Sequence, residues 1–238
     1  MNPALLDNVT HRHLRIRTER SAALGDARQS ALALPAEFRQ LQAHFPIVFQ
    51  LVEGDAGFQP VALFGLEEGQ NLFLTDTGWD APVVPMALQR DPFMIGRSGD
   101  TLKLHVDMDS PRIVRPEDGE LGTAVFMPHG GHSDYLDHVI NLLEHLHAQA
   151  QRLPAFIEAL TRHQLLEPFV IDIETADGEQ GRLSGLFTIH EERLAALPGE
   201  ALEALARDGH LLPIYMQIAS LAQLPVLVER ASRQARRG

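Results

Sequence analysis

With 238 residues, 45% of them hydrophobic and 22% charged, the chain has the composition of a globular domain able to bury a core. Its formal net charge of −12 is unevenly spread: Arg12, Arg15, Arg17 and Arg20 crowd one end and Arg230, Arg233, Arg236 and Arg237 the other, leaving the span between near −17. So acidic a body repels phosphate backbones, which excludes nucleic acid as a partner of the core, and the absence of cysteine excludes disulfide frameworks, thiolate metal sites and cysteine nucleophiles.

The first twenty residues lack the uninterrupted apolar stretch of a secretory signal. No run of about 18 apolar residues free of charge suggests a bilayer span, so a cytoplasmic protein without a transmembrane segment is expected. Residues 1–37 read as an N-terminal extension, with polar–apolar alternation at His13–Arg17 in the manner of an edge strand and a small-residue loop from Ser21 to Leu34. Pro35 suits the first turn of a short helix ending near Leu41. Two apolar runs follow, Ile47–Val52 and Pro60–Leu66, joined by Gly54-Asp55-Ala56-Gly57, and a third, Asn71–Leu74, lies close behind. That is the grammar of an antiparallel meander.

Pro82, Pro85 and Pro92 forbid a long helix but leave one or two turns between Val84 and Arg90. Leu102–Asp107 alternates as a strand, and Asp118-Gly119 marks a turn between Ile113-Val114 and Ala124-Val125-Phe126. Leu136, Val139, Ile140, Leu143 and Leu146 then fall on one helical face behind Ser133 as N-cap. Pro154 opens a second helix. Phe169–Ile173 and Leu183–Ile189 read as a strand pair around Asp177-Gly178. Pro198 starts a short helix that Gly209 ends, and Leu211, Ile214, Ile218 and Leu221 belong to another, bent or stopped at Pro225. Residues 225–238 form a basic tail. The fold class is α+β in a single domain: a mainly antiparallel sheet from the first half, with helices and a further strand pair from the second.

The phrases FPIVF, PVALFGLEEGQNLFL, GWDAPVVPMALQRDPFMIG and LSGLFTIHEERLAAL, with DGHLLPIYMQIASL after them, occur in an order that resembles the SapC family of bacterial proteins, from roughly Phe38 to Leu224. The family is named after an S-layer-associated locus. The resemblance implies genomic neighbours among TonB-dependent receptors, flavin-dependent tryptophan halogenases and cupin-like proteins. It implies no catalytic residues. Members often carry a tyrosine where Val83 or Val84 stands.

Two sets of side chains are candidates for chemistry. Trp79, Asp80 and Arg90, with Asn71 nearby in sequence, combine a lone indole, a guanidinium and polar groups in a Pro-rich frame, as a groove for a peptide or small ligand would. The other set is histidine-based. His105-Val106-Asp107 has the His-x-Asp spacing of iron and 2-oxoglutarate oxygenases, with His163 or His190 as distal ligand and Arg182 or Arg193 as carboxylate holder. His129 and His132 flank two glycines before a helix. Against each stands a plainer reading: a Trp capping the core, a strand with His out and Val in, a helix-entry loop. Serine-elbow and phosphate-loop motifs are missing from the sequence. The preferred reading is an accessory protein, not an enzyme, that binds a peptide or protein without a cofactor, a second copy of the chain being a candidate partner. The alternative is a metal-dependent enzyme of peptide or amino-acid modification that uses His105 and Asp107 or His129 and His132.

Overall fold

Proline and glycine break the first half of the chain into short extended pieces, and the computed structural model contains, among the described residues, ten strands before the first helix of more than four residues is reached. The structure describes residues 1–52, 57–98, 101–115, 119, 121–174 and 180–236. In chain order the elements are β1 (Pro3–Leu5), β2 (Arg15–Ile16), β3 (Ser30–Leu32), α1 (Phe38–Leu41), β4 (Ile47–Leu51), β5 (Phe58–Leu63), β6 (Leu74–Thr75), β7 (Gly78–Trp79), α2 (Met86–Gln89) and β8 (Phe93–Ser98). There follow β9 (Thr101–Asp107), β10 (Thr123–Ala124), α3 (Asp134–Ala150), α4 (Leu153–Arg162), β11 (Leu166–Glu174), β12 (Gln180–Ile189), α5 (Glu191–Ala195), α6 (Gly199–Arg207), α7 (Leu211–Ser220) and α8 (Leu224–Ala235). The class is α+β, with every strand pair among the described residues antiparallel.

The elements sort into two compact units, each assembled from three separate stretches of chain. Unit 1 takes Met1–Ala27, Leu74–Asp80 and Met86–Ala148. Its sheet runs β1-β9-β8, with Pro3 opposite Asp107 and Phe93 opposite Val106. Alternation along β9 turns Val106 inward to full burial, where Phe93, Ile16, Val125, Leu136 and Val139 meet it. The helical spacing at Leu136, Val139 and Leu143 lays α3 on that core. Ser133 starts it as expected: its Oγ accepts the Leu136 N–H at 3.2 Å and shares its own proton between the Ala124 and Val125 carbonyls. Asp134 and Asp137 occupy the electropositive first turn.

Unit 1 also buries a charged knot. Asp26, without solvent exposure, takes both oxygens to Arg112 Nη2 at 2.7 and 2.6 Å, one of them also to Arg20 Nη1 at 3.0 Å, and accepts the Ser21 N–H at 2.9 Å. Arg112, 2% exposed, spends its other terminal nitrogen on the Arg17 and Glu19 carbonyls. Burial first, and the adjacent Arg112 charge second, lower the pKa of Arg20 from its ordinary value. Removal from water likewise pushes the Tyr135 phenol up to about 12, the two arginines opposing the shift only in part. A phenol whose pKa is raised on folding gives stability that is complete below the unfolded value near 10 and lost as pH rises toward 12. Tyr135→Phe is therefore expected to flatten the fall in stability between those pH values, read by urea midpoints in alkaline buffers.

Unit 2 takes Arg28–Phe73, Ala81–Pro85 and Gln149–Gly238. Its five strands run β11-β12-β4-β5-β3. β4 and β5 pair as the two apolar runs foretold, with Val48 opposite Val61; the turn at Gly54–Ala56 lies outside the described residues, as does Asp177-Gly178 between β11 and β12. The expected third meander strand at Asn71–Leu74 does not join this sheet. β5 is flanked instead by β3, from the stretch read as a loop, and Leu74–Thr75 forms a small ladder with Gly78–Trp79. The late strand pair adds to the early one through Phe187 opposite Phe49, making one sheet from both halves.

The buried rings of Phe38, Phe45, Phe49, Phe64, Phe73 and Phe156 form edge-on and tilted pairs 4.7–6.4 Å apart in this unit. α6 ends at Gly209 (φ 76°), where His210 N–H returns to the Leu205 carbonyl at 2.8 Å, the closure that only a left-handed residue allows without strain. α7 is pinned to β4 by side chains: Gln217 Nε2 donates to the Ile47 carbonyl at 2.8 Å and Ser220 Oγ accepts the Ile47 N–H at 2.9 Å. α7 stops at Ser220, ahead of Pro225 as expected, and after a 3-10 turn at Leu221–Gln223 Pro225 sits in the first turn of α8, so the stretch read as a basic tail is helical to Ala235. By length and composition the run Leu211–Ala235 is long and apolar enough to cross a membrane.

A candidate ligand-binding groove

The positively charged start of the chain lines a groove and is no loose tail. Backbone pairing sets it up. Ile16 bonds to Thr123 on one side and bridges to Ile113 on the other, so Ile113-Val114 and Ala124-Val125 lie on either side of β2 and do not pair with each other across Asp118-Gly119. Asp118 lies outside the described residues. Ile16 is fully buried, and strand alternation therefore turns its neighbour Arg15 to the opposite face.

On that face lies a cleft of about 520 Å³, within the size range of small-ligand sites. Arg12, Arg15 and Arg115 give it a cationic lining beside His13, and Leu14, Val114 and Phe126 give it apolar walls. Arg15 holds the Leu121 carbonyl through Nε at 2.9 Å and the Gly122 carbonyl through Nη2 at 2.8 Å; Arg12 holds the Pro128 carbonyl at 2.9 Å. These partners are neutral. Among the described residues neither guanidinium has a carboxylate within ion-pair distance, and each keeps N–H donors that no protein group takes.

Gly122 is fixed by this arrangement. Its φ is +73°, and a Cβ there would stand 2.6 Å from the Ile16 carbonyl oxygen. Gly122→Ala is expected to destabilise the protein by about 1–3 kcal/mol and to push the loop off Arg15, seen as a lower thermal midpoint and altered amide exchange in residues 121–126.

The residues singled out from sequence are distributed differently. Trp79 and Arg90 are half-buried and Asp80 exposed, all in unit 1, and Arg90 donates to the Phe93 carbonyl at 3.1 Å. Asn71 belongs to unit 2, is buried, and uses its Oδ1 to accept the Phe73 N–H at 3.0 Å, a local turn bond. None of the four lines the arginine groove. His105 and Asp107 share the outer side of β9: the imidazole lies over Gly96 and contacts the Lys103 carbonyl at 3.1 Å, and Asp107 accepts the Asn2 and Asp109 N–H groups. His163 and His190 belong to unit 2, where His190 caps α5. His129 and His132 are exposed, His132 lying 3.0 Å from Asp137. Among the described residues no three His, Asp or Glu side chains converge as metal ligands.

Two other clefts lie among the described residues. One of about 370 Å³ in unit 2 is bordered by Arg39, Arg152, Asp208 and His210, so its charges are of both signs. The other, about 210 Å³, lies between β8, β9 and α3 and is walled by Ile95, Leu104, Ile140 and Leu143. Of these three clefts the arginine groove has the greatest volume, and among the described residues its charged lining is of one sign, in a chain whose net charge is of the other.

Taken together, the molecule is an α+β protein of two interleaved units with a cationic, apolar-walled groove in the first. The chain belongs to the SapC family, whose model matches residues 6–227 and so includes β2 and the arginines that the family-like phrases, beginning near Phe38, had left outside. No curated protein and no solved structure matches the chain.

Proposed function

We propose that this SapC-family chain is a cytoplasmic binding protein that captures an anionic segment of a peptide or protein in the arginine groove. The observation that carries the reading is the pair Arg12 and Arg15, both anchored by backbone carbonyls and neither matched by a carboxylate among the described residues. A guanidinium so held is already oriented, so a carboxylate meets a planar, charge-assisted donor fork at little entropic cost. Leu14, Val114 and Phe126 offer apolar surface beside the charge, which favours a segment with acidic and hydrophobic residues interspersed. The net charge of −12 acts against such a ligand over the acidic part of the surface, which favours the cationic sites.

Fluorescence anisotropy with a labelled Asp/Leu-rich peptide tests it, the Asn/Leu-rich isostere serving as control. The acidic peptide is expected to bind at least about tenfold more tightly, and Arg12→Gln/Arg15→Gln to remove that difference, with affinity falling as salt screens the charges. Equal affinities for both peptides would refute the reading. A peptide-induced change in Trp79 emission that survives the double substitution would instead move the site to the Trp79, Asp80 and Arg90 surface.

A further inference from the structure

The cleft of about 370 Å³ in unit 2 gathers groups that the fold itself leaves uncommitted. Burial of Phe38 and Leu41 turns Arg39 of α1 outward. Arg152 stands at the start of α4, where its carbonyl accepts the Phe156 N–H at 3.3 Å and helical spacing brings the two residues onto one side. The left-handed turn at Gly209 leads into His210, Leu212 and Pro213, which line the same cleft with Met216. The His210 ring leans on Phe156, centroids 5.5 Å apart.

Neither guanidinium of the lining is spent on the fold. Arg39 and Arg152 are exposed, and among the described residues neither side chain has a hydrogen bond, ion pair or ring contact. Elsewhere in the unit exposed arginines are matched: Arg162 meets Glu158 and Arg233 meets Glu229, each one turn away. Two uncommitted arginines beside an apolar wall differ from two on open surface, because surroundings of low polarity strengthen an ion pair formed there. Asp208 also borders the cleft, but its carboxylate lies 3.9 Å from Nε of Arg207, outside the lining. Arg39, Arg152 and Asp208 together leave one net positive charge on the walls.

We propose that this cleft binds a small monocarboxylic acid with an apolar body, its carboxylate on Arg39 and Arg152 and its body against Phe156, Pro213 and Met216. A guanidinium meets a carboxylate through two parallel N–H donors, so both charge and plane are selected. The net charge of the walls suits one carboxylate, and Asp208 opposes a second. The volume is near the lower end for small-ligand sites, which favours a compact acid over a peptide segment. The site lies in the other unit from the arginine groove and does not rest on the reading given to that groove.

Isothermal titration calorimetry on the full chain at neutral pH tests this with hydrocinnamate as probe and hydrocinnamide and acetate as controls. Hydrocinnamate is expected to bind with a dissociation constant of about a millimolar or lower. Removing either its charge or its ring is expected to weaken binding at least about tenfold. Arg39→Gln/Arg152→Gln should abolish the preference for acid over amide, whereas Arg12→Gln/Arg15→Gln should keep it; the reverse pattern would overturn the assignment. Equal affinity for hydrocinnamide would overturn it as well, and equal affinity for acetate would remove the apolar half of the site. A phenylalanine-terminated peptide that binds where hydrocinnamate does not would overturn the choice of a small acid. Both arginines are exposed and unbonded, so the double variant should keep the circular dichroism spectrum of the natural chain. A readout free of changes at the arginines is proton resonance of the His210 ring, assigned by its disappearance in His210→Gln. Its signals should move with hydrocinnamate and stay still with hydrocinnamide; signals unmoved by the acid would overturn the proposal.

Discussion

Asp26→Ala is expected to destabilise the protein by about 3–5 kcal/mol, the cost of leaving a buried guanidinium without its counter-charge. Arg112 is 2% exposed and has no route to water, and Arg20 loses the same carboxylate. The transition should be followed by Trp79 fluorescence, because β7 belongs to the same unit as the knot. Removing the whole arrangement should cost much less. Asp26→Leu combined with Arg112→Met replaces the ion pair by apolar volume, so the double variant is expected to be more stable than Asp26→Ala alone. If Asp26→Ala shifts the urea midpoint by no more than a surface substitution does, the knot contributes nothing to stability.

Phe45→Ala is the counterpart in unit 2. The ring is fully buried and lies 4.7 Å from Phe73 and 5.3 Å from Phe64, centroid to centroid, while the Arg230 guanidinium stacks 4.4 Å over the outer face of Phe73. Truncation removes the transfer energy of the ring and leaves a cavity that Phe64 and Phe73, themselves wedged by neighbours, cannot collapse into. A loss of about 3–5 kcal/mol is expected, against under about 1.5 kcal/mol for Phe45→Leu. Urea denaturation followed by far-ultraviolet circular dichroism measures both. Equal costs for the two substitutions would mean that the pocket closes and that the ring cluster is not tightly packed.

What could be read from the chain divides along the range of the interactions. Ser133 with the Leu136, Val139 and Leu143 stripe is a local pattern, and it produced α3 with its cap and buried face as read. Pro198 and Gly209 likewise bracket α6. Asn71–Leu74 looked like a third strand because its side chains are apolar, but Asn71 spends its amide oxygen on a local turn and the sheet edge beside β5 goes to Ser30–Leu32. β8 follows Asp91-Pro92 and was hidden by it, since proline there reads as punctuation. The groove was less legible still. Arg12 and Arg15 look like a solvated basic end until pairing of β2 with a strand more than a hundred residues later folds the loop at Leu121 and Gly122 over them. The nearest signal was a cluster of arginines in a strongly acidic chain. Asp26 and Arg112, 86 positions apart, offered none at all.

The order of strands in unit 2 has a consequence for synthesis. β4 emerges from the ribosome early and finds β5 at once, but its other neighbour, β12, is made roughly 140 residues later. At translation speeds of about 5–20 residues per second, the Ile47-Val48-Phe49 edge therefore waits on the order of ten seconds with unpaired amides and carbonyls exposed. A nascent chain of this kind is an expected client of ribosome-associated chaperones, and slowing elongation after residue 63 should lower its soluble yield.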